Sequence, residues 1–236
     1  MSRIVYGPQG SWRLNRSLGI DILGGGARHC NFDCKYCELG NSSIYSTERQ
    51  VFVGNDDLKA AIDQIRASDF NYATFSGSGE PTLAENLGTA IVIVRDILKK
   101  PVAVLTNASL MNREDVRNNL HEADVVFAKI DAPNETMFHQ INRPGVTVTL
   151  KEIIEGIKHF KQEYKGKLVL QMMFTSDNMP MASDIAEIAW QIDADEVNIG
   201  TPIRFCAIQP LSREEMMVIK KKFTGIRNVK MVYDKK

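Results

Sequence analysis

The chain has 236 residues, 44% hydrophobic and 25% charged, with a formal net charge of zero. This is an ordinary globular composition, and we expect residues 1–236 to form a single domain that buries its core without staples. Zero net charge gives no whole-molecule attraction to nucleic acid or anionic membrane, no run of about 18 apolar residues suggests a membrane span, and the N-terminus lacks a secretory apolar stretch, so a cytoplasmic protein is expected.

Along the chain, short β-rich runs alternate with longer segments of helical periodicity. Strands are expected at 17–23, 72–75, 102–105, 125–130, 168–173 and 196–199. Between and after them, helices are expected at 57–65, 87–98, 150–160, 182–192 and 213–223. Asn55 and Asp56 stand where a cap would start the first helix, and Ser212 with Glu215 has the capping-box spacing for the last. Repeated strand–helix–strand order implies parallel strands with right-handed crossovers. Six units fit, whereas a full barrel needs eight units and about 250 residues. The expected fold is therefore α/β, an open partial (β/α)6 TIM-like barrel with its chemistry at the C-terminal strand ends. Lys220, Lys221, Lys222, Lys235 and Lys236 read as a solvated helix face and a frayed end.

Three of the four cysteines, Cys30, Cys34 and Cys37, fall within eight residues after the first expected strand. That spacing suits a metal rather than a disulfide framework, and reduced thiols agree with a cytoplasmic setting. Thiolates are soft ligands for zinc or iron–sulfur clusters. A structural zinc site wants four protein ligands, which Cys206 or His29 would have to complete. A cube of four irons held by three cysteines leaves one iron open, as a catalytic cluster requires. Cys206, alone near the last strand, reads as a buried free thiol.

Cys-x3-Cys-x2-Cys after the first strand, with the aromatic Tyr36 before the last cysteine, resembles the signature of the radical S-adenosylmethionine (SAM) superfamily. The resemblance implies a 4Fe–4S cluster on Cys30, Cys34 and Cys37 whose open iron binds SAM. It further implies reductive cleavage of SAM to a 5′-deoxyadenosyl radical that abstracts hydrogen from a substrate. An electron donor such as flavodoxin or ferredoxin is then an expected partner.

Further positions are similar to the family's cofactor-binding segments. Ser78, Gly79 and Glu80 follow the second strand and resemble the Gly-Gly-Glu motif that meets the methionyl amino group, with Ser78 replacing the first glycine. Thr106 and Asn107 resemble a pair near the SAM carboxylate or ribose; an Asx turn is the alternative. Lys129 and Asp131 share one strand face. Asp131 is a candidate catalytic and cofactor-binding carboxylate; a helix cap or a salt bridge to a lysine is the alternative. Met172, Met173, Asn198 and Ile199 occupy the regions that pack around adenine and ribose, although a strand methionine also suits plain core. Arg204 leaves the sixth strand toward the mouth, where it could grip a carboxylate or phosphate; an ordinary exposed arginine is the alternative.

Longer strings, Ser11 to Gly19, Cys34 to Gly40, Gly79 to Thr82 and Asn142 to Pro144, resemble small iron–sulfur oxidoreductases related to the tRNA wyosine synthases. Those synthases carry a second cluster on additional N-terminal cysteines. No cysteine precedes Cys30 here, so a second cluster is not expected. The basic residues Arg3, Arg13, Arg16, Arg28 and Lys35 could meet RNA phosphates, a carboxylate-rich small molecule or SAM. Three readings stand at this point: a radical SAM enzyme acting on a tRNA base or small metabolite, an activase forming a glycyl radical on a partner protein, and a non-catalytic zinc-stabilised binding module.

Overall fold

A computed structural model describes residues 4–40, 44–65 and 69–234. The strands are β1 (Val5–Ser11), β2 (Asn15–Ile20), β3 (Tyr72–Phe75), β4 (Val102–Thr106), β5 (Val125–Lys129), β6 (Lys167–Met173), β7 (Glu196–Gly200) and β8 (Val229–Met231). The helices are α1 (Asn55–Asp63), α2 (Leu87–Leu98), α3 (Glu114–Leu120), α4 (Glu135–Ile141), α5 (Leu150–Glu163), α6 (Ala182–Ile192) and α7 (Arg213–Lys222). The strands form one sheet in sequence order, with β1 antiparallel to β2 and all later pairs parallel. This curled parallel sheet, covered by helices on one face, is the expected partial barrel. Arg3, Lys235 and Lys236 lie outside the described residues.

Period-two alternation divides β4, β5 and β6 between two cores. Ala73, Phe75, Val104, Val126, Leu170 and Val197 face the helices in the larger core. Ala103, Val125, Phe127 and Val169 face the barrel interior, where Leu14 from the β1–β2 turn packs on them. The hairpin turn thus fills part of the barrel.

The sequence reading needs several corrections. The first expected strand stops at Ile20 because Asp21 leaves the sheet; its carboxylate accepts from Leu23 N at 3.1 Å and Ser78 N at 3.0 Å. Asn55 does not cap α1: Gly54 is the cap residue, and Asn55 Oδ1 accepts from Asn86 Nδ2 at 2.8 Å instead. The Ser212–Glu215 capping box does form, with Glu215 N donating to Ser212 Oγ at 3.2 Å. The strands β1 and β8 and the helices α3 and α4 were not expected. β1 contains Gly7, Pro8 and Gly10, residue types that disfavour strands, and β8 has only three residues. α3 and α4 have seven residues each, too short to declare a period.

Candidate active site

The C-terminal ends of β2 to β5 bring four loops together. Glycine makes the closest approach possible. A Cβ on Gly79 would sit 1.6 Å from the carbonyl oxygen of His29. Without one, His29 N donates to Ser78 O at 3.1 Å and Glu80 N donates to His29 O at 2.9 Å. The cysteine loop is therefore zipped to the Ser78–Gly79–Glu80 loop by backbone bonds. Asp21 closes the same seam, accepting from Ser78 Oγ at 3.1 Å.

Glu80 is buried, and its carboxylate ties two loops together. It accepts from Thr82 Oγ1 at 2.7 Å, Thr106 Oγ1 at 2.6 Å and Asn107 N at 2.7 Å. Burial pushes its pKa up, and these hydrogen bonds oppose the shift. Asn107 does form an Asx turn, accepting from Ser109 N at 3.0 Å. Its amide also donates to Asn31 Oδ1 at 2.7 Å and lies 3.9 Å from Cys30 Sγ.

A second web surrounds Cys34. Asn142 Nδ2 lies 3.6 Å from Cys34 Sγ, 3.1 Å from Tyr36 Oη and 2.7 Å from Asp131 Oδ2. The Tyr36 hydroxyl donates to Asp131 Oδ2. Met173 N donates to Asp131 Oδ1 at 2.7 Å. Lys129 Nζ lies 3.7 Å from Asp131 Oδ2 and 4.7 Å from the Tyr36 ring centre. The salt-bridge alternative for Asp131 is therefore realised, inside a network that reaches a cysteine. From below, Asp33 N donates to Asn142 O at 3.1 Å and Lys35 N to Ile141 O at 2.9 Å.

Burial pushes the Cys30 thiol up to about 12, with the Glu80 carboxylate adding to the shift. Burial likewise pushes Cys34 up to about 11, against the attraction of Lys129. Left alone, both thiols stay protonated at neutral pH, and a bound metal centre would stabilise their thiolates. Cys206 Sγ is engaged by its own turn, 3.4 Å from both N and O of Ile208. The His29 ring packs on Phe52 with centroids 4.7 Å apart.

One connected region thus holds Cys30, Cys34, Tyr36, Ser78, Gly79, Glu80, Asn107, Asp131 and the backbone of Met173. Cys37 closes the tight turn from Cys34, its N donating to Cys34 O at 3.0 Å. Asn198 and Ile199 lie apart on β7. Asn198 Nδ2 donates to Glu196 Oε1 at 2.8 Å, and its Oδ1 is buried with no hydrogen-bond partner among the described residues. The Ile199 side chain belongs to the helix-facing core, so its backbone alone borders the barrel interior. Sequence reasoning did not single out Asn31 or Asn142 as site residues. Asn142 lay within the Asn142–Pro144 string that carried the family resemblance, and that was the available signal.

The match to the Radical SAM superfamily runs over residues 26–217 and contains this whole constellation. The chain belongs to the radical SAM superfamily. A UPF0026 protein of Synechocystis sp. is 38% identical over 211 residues, which cover 89% of this chain and 78% of that one. Among solved structures, a radical SAM methyltransferase from Sphaerobacter thermophilus superposes with a TM-score of 0.68 at 13% identity, covering 93% of this chain and 67% of that one. SuiB of Streptococcus suis bound to S-adenosylmethionine superposes with a TM-score of 0.65 at 14% identity, covering 87% and 48%. These two likenesses establish the fold. Superfamily membership makes the chain an enzyme and decides against the zinc-stabilised module. No helix among the described residues is long and apolar enough to cross a membrane.

The residues present fit the cofactors of that superfamily. The donor set is three soft thiols on one loop, without a fourth cysteine in it, which matches a cluster with an open iron. Asn198 Oδ1, buried and unpartnered among the described residues, is a polar group that a bound SAM would satisfy.

Proposed function

We propose that Cys30, Cys34 and Cys37 hold a 4Fe–4S cluster and that the chain uses it to cleave SAM reductively. When bound, the cluster and SAM together supply a 5′-deoxyadenosyl radical that abstracts hydrogen from the substrate, a tRNA base or small metabolite. The observation that carries this reading is the docking of the cysteine loop, through backbone bonds, onto the Ser78–Gly79–Glu80 loop.

Each group has a part in it. Gly79 presents its backbone to the methionyl end of SAM, and Ser78, bonded to Asp21 and His29, holds that loop in place. Glu80 fixes that loop against β4 and sets Asn107 beside Cys30. Asp131 orients Tyr36 and, through Asn142, the Cys34 thiolate, and its charge is felt by whatever binds beside it. Met173, Asn198 and the Ile199 backbone border the nucleoside. Buried apolar groups around the cysteine loop, Phe32 and Tyr36 among them, exclude water from reactive intermediates. The reading takes residues 1–236 as one catalytic core, working in the cytoplasm with flavodoxin or ferredoxin as electron donor.

The test is anaerobic turnover of the reconstituted protein with dithionite and SAM, followed by chromatography of the products. Release of 5′-deoxyadenosine, abolished in Cys34→Ala, is the expected result. A reconstituted protein that leaves SAM intact would overturn the reading.

A further inference from the structure

Arg13 stands out among the half-buried arginines. Among the described residues its Nε is buried without a hydrogen-bond partner, as are those of Arg95 and Arg117. Those two have other anchors: Arg95 pairs with Asp124 at 3.5 Å, and Arg117 donates to Met111 O at 3.0 Å. The Arg13 side chain bonds no described residue. Its guanidinium lies over the Trp12 ring, 5.2 Å from the centroid. Trp12 in turn covers Gly200 at the C-terminal end of β7, where an added Cβ would meet the indole at 3.4 Å.

The charges that act on Arg13 are Arg204, which repels it, and Glu38, which attracts it. Burial and this repulsion bring its pKa down to about 10, so it remains protonated at neutral pH. Arg204 Nη1 meanwhile holds both oxygens of Glu38, at 2.6 and 2.9 Å. Glu38 is thus bonded to Arg204 alone, and Arg13 has no ion-pair partner of its own among the described residues. A half-buried cation beside another cation is costly unless an anion completes the site. The planar forks of two arginines match the oxygens of a carboxylate or phosphate. This cluster comes from the β1–β2 turn, the end of the cysteine loop and the loop after β7. The SAM-binding candidates Ser78, Gly79 and Asn107 follow β3 and β4 instead.

We propose that Arg13 and Arg204 bind an oxyanion group of the substrate, a phosphate or a carboxylate, with Glu38 occupying Arg204 until that group arrives. The proposal rests on the enzymatic reading above for the word substrate, though not for the anion site itself. Glu38 directly follows Cys37, so displacement of its carboxylate would couple substrate arrival to the cysteine loop.

The chain has two tryptophans, Trp12 and Trp190, and Trp190 is exposed on α6. In a Trp190→Phe background the fluorescence therefore reports on Trp12 alone. The cluster-loaded protein with SAM is titrated with inorganic phosphate and separately with acetate, at constant ionic strength. We expect saturable binding of at least one anion; the tighter one identifies a phosphorylated or a carboxylated substrate. Arg13→Gln and Arg204→Gln should each weaken it roughly tenfold or more, the loss of a charge-assisted hydrogen bond. Glu38→Gln should tighten it by freeing Arg204. All three variants should keep the SAM-induced change in the cluster's EPR signal. No saturable response to either anion, or unchanged affinity in both arginine variants, would overturn the proposal. So would loss of the SAM response in the surface variant Arg204→Gln, which would assign the arginines to SAM. Anion binding in a protein that never cleaves SAM would keep the anion site and remove only the enzymatic reading.

Discussion

Tyr36, Asn142 and the Met173 backbone all donate to one carboxylate, Asp131, and Lys129 stands 3.7 Å from it. Asp131→Asn keeps the shape and removes the charge, leaving Lys129 without its counter-ion. The expected cost is about 1–3 kcal/mol of stability, the range for a disturbed buried hydrogen-bond network. Iron content should stay near wild type while affinity for SAM falls, measured by iron assay and equilibrium dialysis. Unchanged SAM affinity would return Asp131 to a purely structural role. At this scale the cysteines were legible because their chemistry and spacing are local. Asn31 and Asn142 were not, since their partners lie far along the chain: Asn31 donates to Ser109 Oγ at 2.7 Å, and Asn142 reaches Cys34 and Tyr36. An asparagine in isolation has no spacing to betray it.

Loops, more than helices, decide how the elements meet. Gly79→Ala forces a Cβ to 1.6 Å from the His29 carbonyl, a backbone atom that cannot swing aside. The two loops must part, at a cost on the order of 1–3 kcal/mol for overpacking. Urea denaturation should show the loss, and the variant should take up less iron. Wild-type stability and full iron content would mean that the zipped seam is not needed to hold the cysteine loop. Six parallel strands were legible because period-two apolar runs alternated with helical periods. The β1–β2 hairpin carries no such period, yet it delivers Leu14 to the barrel interior and Arg13 to its place over the Trp12 ring. Its Gly7, Pro8 and Gly10 are turn formers, and the pairing that makes them a strand comes from β2.

Across the whole molecule, long-range ion pairs knit the loops that follow β2 and β3 to the helices. Arg49 Nε donates to Thr82 O at 2.9 Å, and its Nη1 meets Asp115 Oδ2 at 2.7 Å. With Arg113 bonding the same carboxylate, the Asp115 pKa is brought down to about 2 from 3.8. A depressed carboxylate pKa contributes stability that is present above the unfolded value and lost as pH falls through the folded one. Stability should therefore decline between about 3.8 and about 2 partly through Asp115, and Asp115→Asn should flatten that part of the profile in acid urea titrations. An unaltered profile would show that the pair is too well solvated to matter.

The central claim is that three thiols at the end of β2 hold a redox cluster that SAM engages directly. The most direct measurement is EPR of the anaerobically reconstituted, dithionite-reduced protein with and without SAM. The account predicts a brown protein with a reduced 4Fe–4S signal whose g-values change when SAM is added, because the open iron gains ligands. A signal indifferent to SAM, or a colourless protein that binds zinc on the same cysteines, would contradict it.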